Sequence, residues 1–192
     1  MIFQRFRKPL LTENSISRLA QQLNKICEKL DDKYDINNGG CCYTAYCIAK
    51  ILEKANIKFY LIALDRDYRF LKESNITDLK RSCNHYAIKV KTDQNSYAIN
   101  ISSFTHAYSR ELKASASDIL EHYKQHLWNE MYDTDNNVKV QTTLEKTYYG
   151  FTKNLRKKQQ GNTSISKIRI PKLYIQTLER WGLYNRGKML RK

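Results

Sequence analysis

Residues 39–52 read Gly-Gly-Cys-Cys-Tyr-Thr-Ala-Tyr-Cys-Ile-Ala-Lys-Ile-Leu, a glycine turn followed by an apolar helical pattern. The pattern predicts a helix from about Cys41 to Ala55 whose inward stripe is Cys41, Ala45, Ile48 and Leu52. Cys41 stands on this stripe at the start of the helix, and Cys42 lies about 100° further round. Backbone N–H groups and the helix dipole favour a thiolate at that end.

Two predicted strands downstream add a histidine and an asparagine. The residues from Asn84 to Lys91 alternate as a half-buried strand does, and Tyr97 to Ser102 is the expected return strand of a hairpin. A cysteine, a histidine and a polar residue that orients the histidine make up a thiol acyl-transfer site. The sequence therefore predicts Cys41 as the nucleophile, His85 as the base and Asn100 as the residue that orients the imidazole.

These segments resemble the transglutaminase-like proteins over about residues 35–102. Gly39-Gly40-Cys41 is similar to the nucleophile helix of that family, and His85-Tyr86-Ala87-Ile88-Lys89-Val90 is similar to its histidine strand. Tyr97-Ala98-Ile99-Asn100 resembles the last strand, with Asn where that family usually has Asp and where papain-like peptidases have Asn. The resemblance implies a papain/transglutaminase-like α+β fold, with the nucleophile helix on an antiparallel sheet, and a cysteine peptidase or amidase acting on peptide or protein amides.

The other predicted elements are consistent with this α+β class. Residues 15–31 have helical periodicity with Ser15 as a possible cap, and Ile57–Leu64 is a mostly apolar run typical of a buried strand. Ser115 and Asp118 form a possible capping box for a helix to about Met131. We expect one domain over 1–150 and a basic C-terminal extension over 151–192, in which 153–170 is interpreted as a mobile linker.

Several further residues have both a functional and a structural interpretation. The backbone N–H of Cys41 or Cys42 and the side chain of Asn37 or Asn38 are candidate oxyanion donors. His122 and His126 are four residues apart on a helix, a spacing that can hold a metal, but a third ligand is not evident and a solvated helix face is the simpler interpretation. The sequence therefore predicts neither a metal nor a cofactor.

The charge distribution suggests a second class of function. The net charge is +15, and from residue 151 onward there are twelve Lys or Arg and one acid, Glu179. Such a segment attracts nucleic acid or an acidic protein partner, and its candidate contacts are Arg156, Lys157, Lys158, Lys167, Arg169 and Lys172. The alternative hypothesis is thus a non-catalytic, virion-structural or polyanion-binding protein on the same fold.

Composition sets an expectation for location. No apolar run reaches the roughly 18 residues of a membrane span, and the N-terminus has no apolar signal core. Five cysteines at irregular spacing favour free thiols in a reducing cytoplasm. The abundance of Lys, Asn, Ile and Tyr would suit an AT-rich genome such as that of a phage. A phage-infected cell or a virion is therefore an alternative expectation for the location of the protein. The sequence does not indicate an oligomeric state.

Overall fold

The structure is a computed structural model that describes residues 11–65, 73–79, 83–101, 108–126 and 134–163. Its elements are α1 (Glu13–Tyr34), α2 (Cys41–Lys54), β1 (Phe59–Asp65), a short 3-10 helix (Ile76–Asp78), β2 (His85–Lys91), β3 (Ser96–Ile99), β4 (Tyr108–Leu112), α3 (Ala116–His126) and α4 (Thr134–Thr163). The four strands form one antiparallel sheet in the order β3-β2-β1-β4. The predicted α+β fold with helices on an antiparallel sheet is therefore confirmed.

The central strand β2 is buried on both faces. His85 and Ala87 share one face with Leu64 and Ile62 of β1, which lie directly opposite them. Tyr86, Ile88 and Val90 point to the other face and are fully buried. Every one of these side chains has a neighbour on an adjoining strand, so the strand register fixes the position of the His85 Cα and the face to which its side chain points.

The predicted nucleophile helix packs against both the sheet and another helix. α2 packs against β2 on one side and against α3 on another, and α1 packs against β3. The inward stripe of α2 is buried at every predicted position: Cys41, Ala45, Ile48 and Leu52. The small Ala45 and Ala49 have no exposed surface, which lets neighbouring elements approach the helix closely.

The N-terminal cap of α3 is the one predicted from the sequence, whereas the N-terminal cap of α1 is a different residue. Ser115 and Asp118 form a reciprocal capping box, in which the Asp118 carboxylate accepts from the Ser115 N–H at 2.8 Å and Ser115 Oγ accepts from the Asp118 N–H at 3.2 Å. The cap of α1 is Thr12 rather than Ser15, because Thr12 Oγ1 accepts from the Ser15 N–H at 3.3 Å. α1 consequently begins two residues earlier than predicted.

The C-terminal part of the described chain is helical where a linker was expected. α4 runs through residues 153–163, so the linker prediction is wrong for that range, and residues 164–170 lie outside the described part. Lys, Arg and Gln are good helix formers, and a polar composition alone does not specify a loop. The chain divides into two units, Met1–Asn154 and Leu155–Lys192, while the predicted boundary after residue 150 falls within α4.

Candidate thiol site

Cys41 is the first residue of α2 and directly follows the glycine turn. Gly39 has φ +90°, a left-handed conformation that favours glycine and sets the entry of the chain into the helix. The Cys41 side chain is 5% exposed. The backbone N–H groups of Tyr86 of β2, of Cys42 and of Cys41 itself lie near enough to the sulfur to act to lower the pKa of the thiol. The thiol therefore lies between the N-terminus of α2 and the start of β2.

His85 is the first residue of β2 and is completely buried. Its Nε2 lies 2.6 Å from the backbone carbonyl oxygen of Asn100, just beyond the end of β3. Because a carbonyl oxygen can only accept, Nε2 is the donor, and the neutral ring then carries its lone pair on Nδ1. The ring is thus fixed in one tautomer and one orientation.

Asn100 contacts His85 through its backbone, whereas the sequence led us to expect its side chain. Asn100 has φ +60°, a left-handed conformation that Asn adopts more readily than most residues. Its N–H donates to Asn24 Oδ1 at 3.0 Å, which helps to hold this peptide. The side-chain Nδ2 is buried and has no hydrogen-bond partner within the described ranges. A left-handed backbone can therefore explain an asparagine at this position.

Asp31, near the end of α1, is a charged member of the site that the sequence analysis missed. Its carboxylate accepts from the Asn37 N–H at 2.9 Å and from Asn37 Nδ2 at 2.7 Å. It interacts electrostatically with both the Cys41 thiol and the His85 ring. The signal in the sequence was helical phase, because Asp31 follows the buried Cys27 by four residues and so lies on the core-facing side of α1.

Burial determines the protonation of the site. Burial raises the pKa of the Cys41 thiol to about 11, although the nearby backbone N–H of Tyr86 acts to lower it. Burial also lowers the pKa of His85, while the bond to Asn100 and the charge of Asp31 act to raise it. At neutral pH the resting pair is therefore a neutral thiol and a neutral imidazole, rather than a thiolate and an imidazolium.

The remaining predicted residues lie in several places. Asn37 Nδ2, the proposed oxyanion donor, donates to Asp31. Cys42 is fully buried, its backbone N–H acts to lower the pKa of Cys41, and its own thiol donates to the Ile119 carbonyl of α3 at 3.9 Å. Arg156, Lys157 and Lys158 are exposed on α4, whereas Lys167, Arg169 and Lys172 lie outside the described residues.

The second histidine cluster is connected to β2. His122 Nε2 and the Tyr86 hydroxyl share a hydrogen bond of 2.7 Å, and the same hydroxyl accepts from the Cys83 N–H at 3.0 Å. Burial, with a smaller contribution from His126, lowers the pKa of His122 to about 4. In the part of the chain that the structure describes, no group of three or more His, Cys, Asp or Glu side chains could hold a metal ion. His122 is therefore a buried polar partner of Tyr86.

A cavity of about 260 Å³ lies beside the site, between α1 and the turn that leads to α2. Asp31, Asn37 and Asn100 line it, together with Glu28 and Asp32. It therefore brings solvent to the outer side of the Asn100 peptide, whose carbonyl binds His85.

Comparison with family models, with curated proteins and with solved structures gave no match to this chain. Among the described residues, no helix combines the length and the apolar character that crossing a bilayer requires.

Proposed function

We propose that this protein is a thiol-dependent acyl-transfer enzyme that acts on amide bonds, with Cys41 as nucleophile and His85 as base. One observation carries the proposal. The Cys41 thiol lies close enough to the backbone N–H of Tyr86, the residue next to His85, for that N–H to act to lower the thiol's pKa, while the His85 ring is hydrogen-bonded to the Asn100 carbonyl. The thiol and the oriented imidazole thus belong to the same end of the β2–β3 hairpin.

The protonation state supports a general-base mechanism. Nδ1 of His85 takes the thiol proton as the sulfur attacks the carbonyl carbon, forming an S–C bond and an oxyanion. The N–H groups at the start of α2 are placed to stabilise that oxyanion. The imidazolium then gives its proton to the leaving nitrogen as the C–N bond breaks, which leaves a thioester on Cys41. Asp31 stabilises the transient imidazolium by its charge.

The burial of the site bears on what resolves the thioester. Cys41 is 5% exposed and His85 is completely buried, so a substrate must displace or move part of its surroundings. Exclusion of water slows hydrolysis of a thioester and lets an amine compete as acceptor. Hydrolysis gives a peptidase or amidase, and attack by an amine gives a transferase with the same first step.

The experiment is single-turnover acylation with p-nitrophenyl acetate, an activated acyl donor that needs no specific recognition. We expect a burst of nitrophenolate equal to one acetyl group per chain, found on Cys41 by peptide mass spectrometry and removed by hydroxylamine. Cys41→Ala should abolish the burst, and His85→Gln should slow it by about 10²-fold or more.

Cys83→Ala is the matched control, because Cys83 is also buried and its pKa is also raised to about 11. This variant should retain the full burst. Acetyl groups spread evenly over the five cysteines, or a burst that His85→Gln leaves unchanged, would contradict the proposal.

A further inference from the structure

A groove with a basic and aromatic lining lies between α2 and the middle of α4. The groove encloses about 760 Å³ and is lined by four lysines and two tyrosines: Lys50, Lys54, Lys146, Lys153, Tyr148 and Tyr149. All four lysines are exposed, and the two helices are bridged here by side chains, including an ion pair of 3.5 Å between Lys50 and Glu145. Among the described residues that line the groove, Glu145 is the single carboxylate, so their net charge is positive.

The tyrosines distinguish this groove from an ordinary basic surface. Tyr149 is 69% exposed, an unusual position for a large aromatic ring. Tyr148 lies beneath Lys54, whose Nζ is 6.0 Å from the ring centroid. Lys146, Tyr149 and Lys153 follow one another at helical spacing on one side of α4. Cations that alternate with an exposed ring form the pattern that binds a phosphate chain and stacks its bases.

We propose that the α2–α4 groove binds single-stranded nucleic acid, with the lysines on phosphates and Tyr149 stacked on a base. The chain's own C-terminal segment is disfavoured as an occupant by charge, because residues 151–192 hold twelve Lys or Arg and one acid. An acidic protein would satisfy the lysines but would leave Tyr149 without a stacking partner. The groove is separate from the thiol site, and this inference does not depend on Cys41 being a nucleophile.

The test measures binding of the full-length protein to a fluorescein-labelled oligothymidylate by anisotropy over a salt series. Each phosphate contact on a single strand contributes about 0.7 to the slope of log K against log salt, so Lys146→Gln with Lys153→Gln should reduce the slope by about 1.4. Tyr149→Ala should weaken binding about fivefold or more, with the salt slope unchanged.

The matched control is Lys25→Gln with Lys29→Gln, which removes the same charge from exposed positions on α1. It should leave the slope within about 0.3 of the wild-type value. Equal effects of the two double variants, or no binding, would overturn the proposal. Competition by polyglutamate as effective as by unlabelled oligothymidylate, with Tyr149→Ala binding normally, would replace it with an acidic protein partner.

Discussion

His122 should make the protein less stable in mild acid, and His122→Gln should remove that sensitivity. The His122 ring is 4% exposed, and its pKa falls from 6.5 to about 4 because burial penalises the charged form. Since the unfolded chain takes up the proton at a higher pH than the folded one, stability is lost as the pH falls below about 6.5. For a pKa of 6.5 in the unfolded chain and about 4 in the folded one, proton linkage lowers the free energy of unfolding by about 1.8 kcal/mol between pH 7 and pH 5. This value is an upper figure, because a cavity of about 420 Å³ beside His122 admits solvent.

The assay is urea denaturation at pH 7 and pH 5, and its readout is the difference between the two free energies of unfolding. Gln at position 122 can still bond the Tyr86 hydroxyl but does not titrate, so the variant should lose about 1 to 2 kcal/mol less than the wild type. His126→Gln is the control, and it should retain most of the wild-type loss because burial is the larger cause of the shift. Equal losses in His122→Gln and the wild type, within about 0.5 kcal/mol, would refute the reasoning.

Three smaller predictions concern local interactions. Thr12→Ala should lower the free energy of unfolding by about 1 kcal/mol and Ser15→Ala by much less, and an equal or larger loss in Ser15→Ala would contradict the cap assignment. Asp31→Asn should further lower the pKa of His85, so the fall of the acylation rate in acid should occur at a lower pH. Asp32→Asn, at an exposed position, should leave the pH of that fall unchanged. The same pH dependence in both variants would contradict the role of Asp31. Glu111→Gln removes the negative charge that Lys89 and Lys91 contact at 2.7 Å, at half-exposed positions. Its cost in chemical denaturation should stay below about 1 kcal/mol, and a larger loss would show a stronger coupling than surface pairs have.

Two assignments that rested on periodicity were accurate. The stripe of Cys41, Ala45, Ile48 and Leu52 placed α2 within one residue of its observed end, and the alternation after Asn84 located β2. Both signals work because one face of each element must be apolar where it packs. The long α4 has a weaker apolar pattern and many Lys, Asn and Gln, and its residues 153–163 were therefore predicted as part of a linker.

The site could be predicted only in part. The order of residue types along the chain suggested Cys41, His85 and Asn100 as one set. The hydrogen bond to His85, however, is accepted by the backbone carbonyl of Asn100, and every residue type has such a carbonyl, so the sequence could not indicate it. Asp31 belongs to the site because α1 ends near the thiol, a fact of tertiary packing. The raised pKa of Cys41 likewise follows from burial, whereas a helix N-terminus taken alone suggested a thiolate.

The most direct measurement for the thiol site is the pH dependence of Cys41 alkylation by iodoacetamide, in the wild type and in His85→Gln. An isolated thiol with a pKa of about 11 reacts tenfold faster with each unit of pH through the neutral range. If His85 takes the thiol proton, the reactive thiolate–imidazolium pair holds as many protons as the neutral resting pair. Its population therefore does not change with pH once His85 is neutral, so the wild-type alkylation rate should level off above the pKa of His85. In His85→Gln the alkylation rate of Cys41 should instead rise steadily with pH. The rate at Cys83, whose pKa is also about 11, should rise in the same way in both proteins. A plateau for Cys41 in the wild type alone is the predicted result, and superimposable profiles for Cys41 in the two proteins would contradict the pairing of Cys41 with His85.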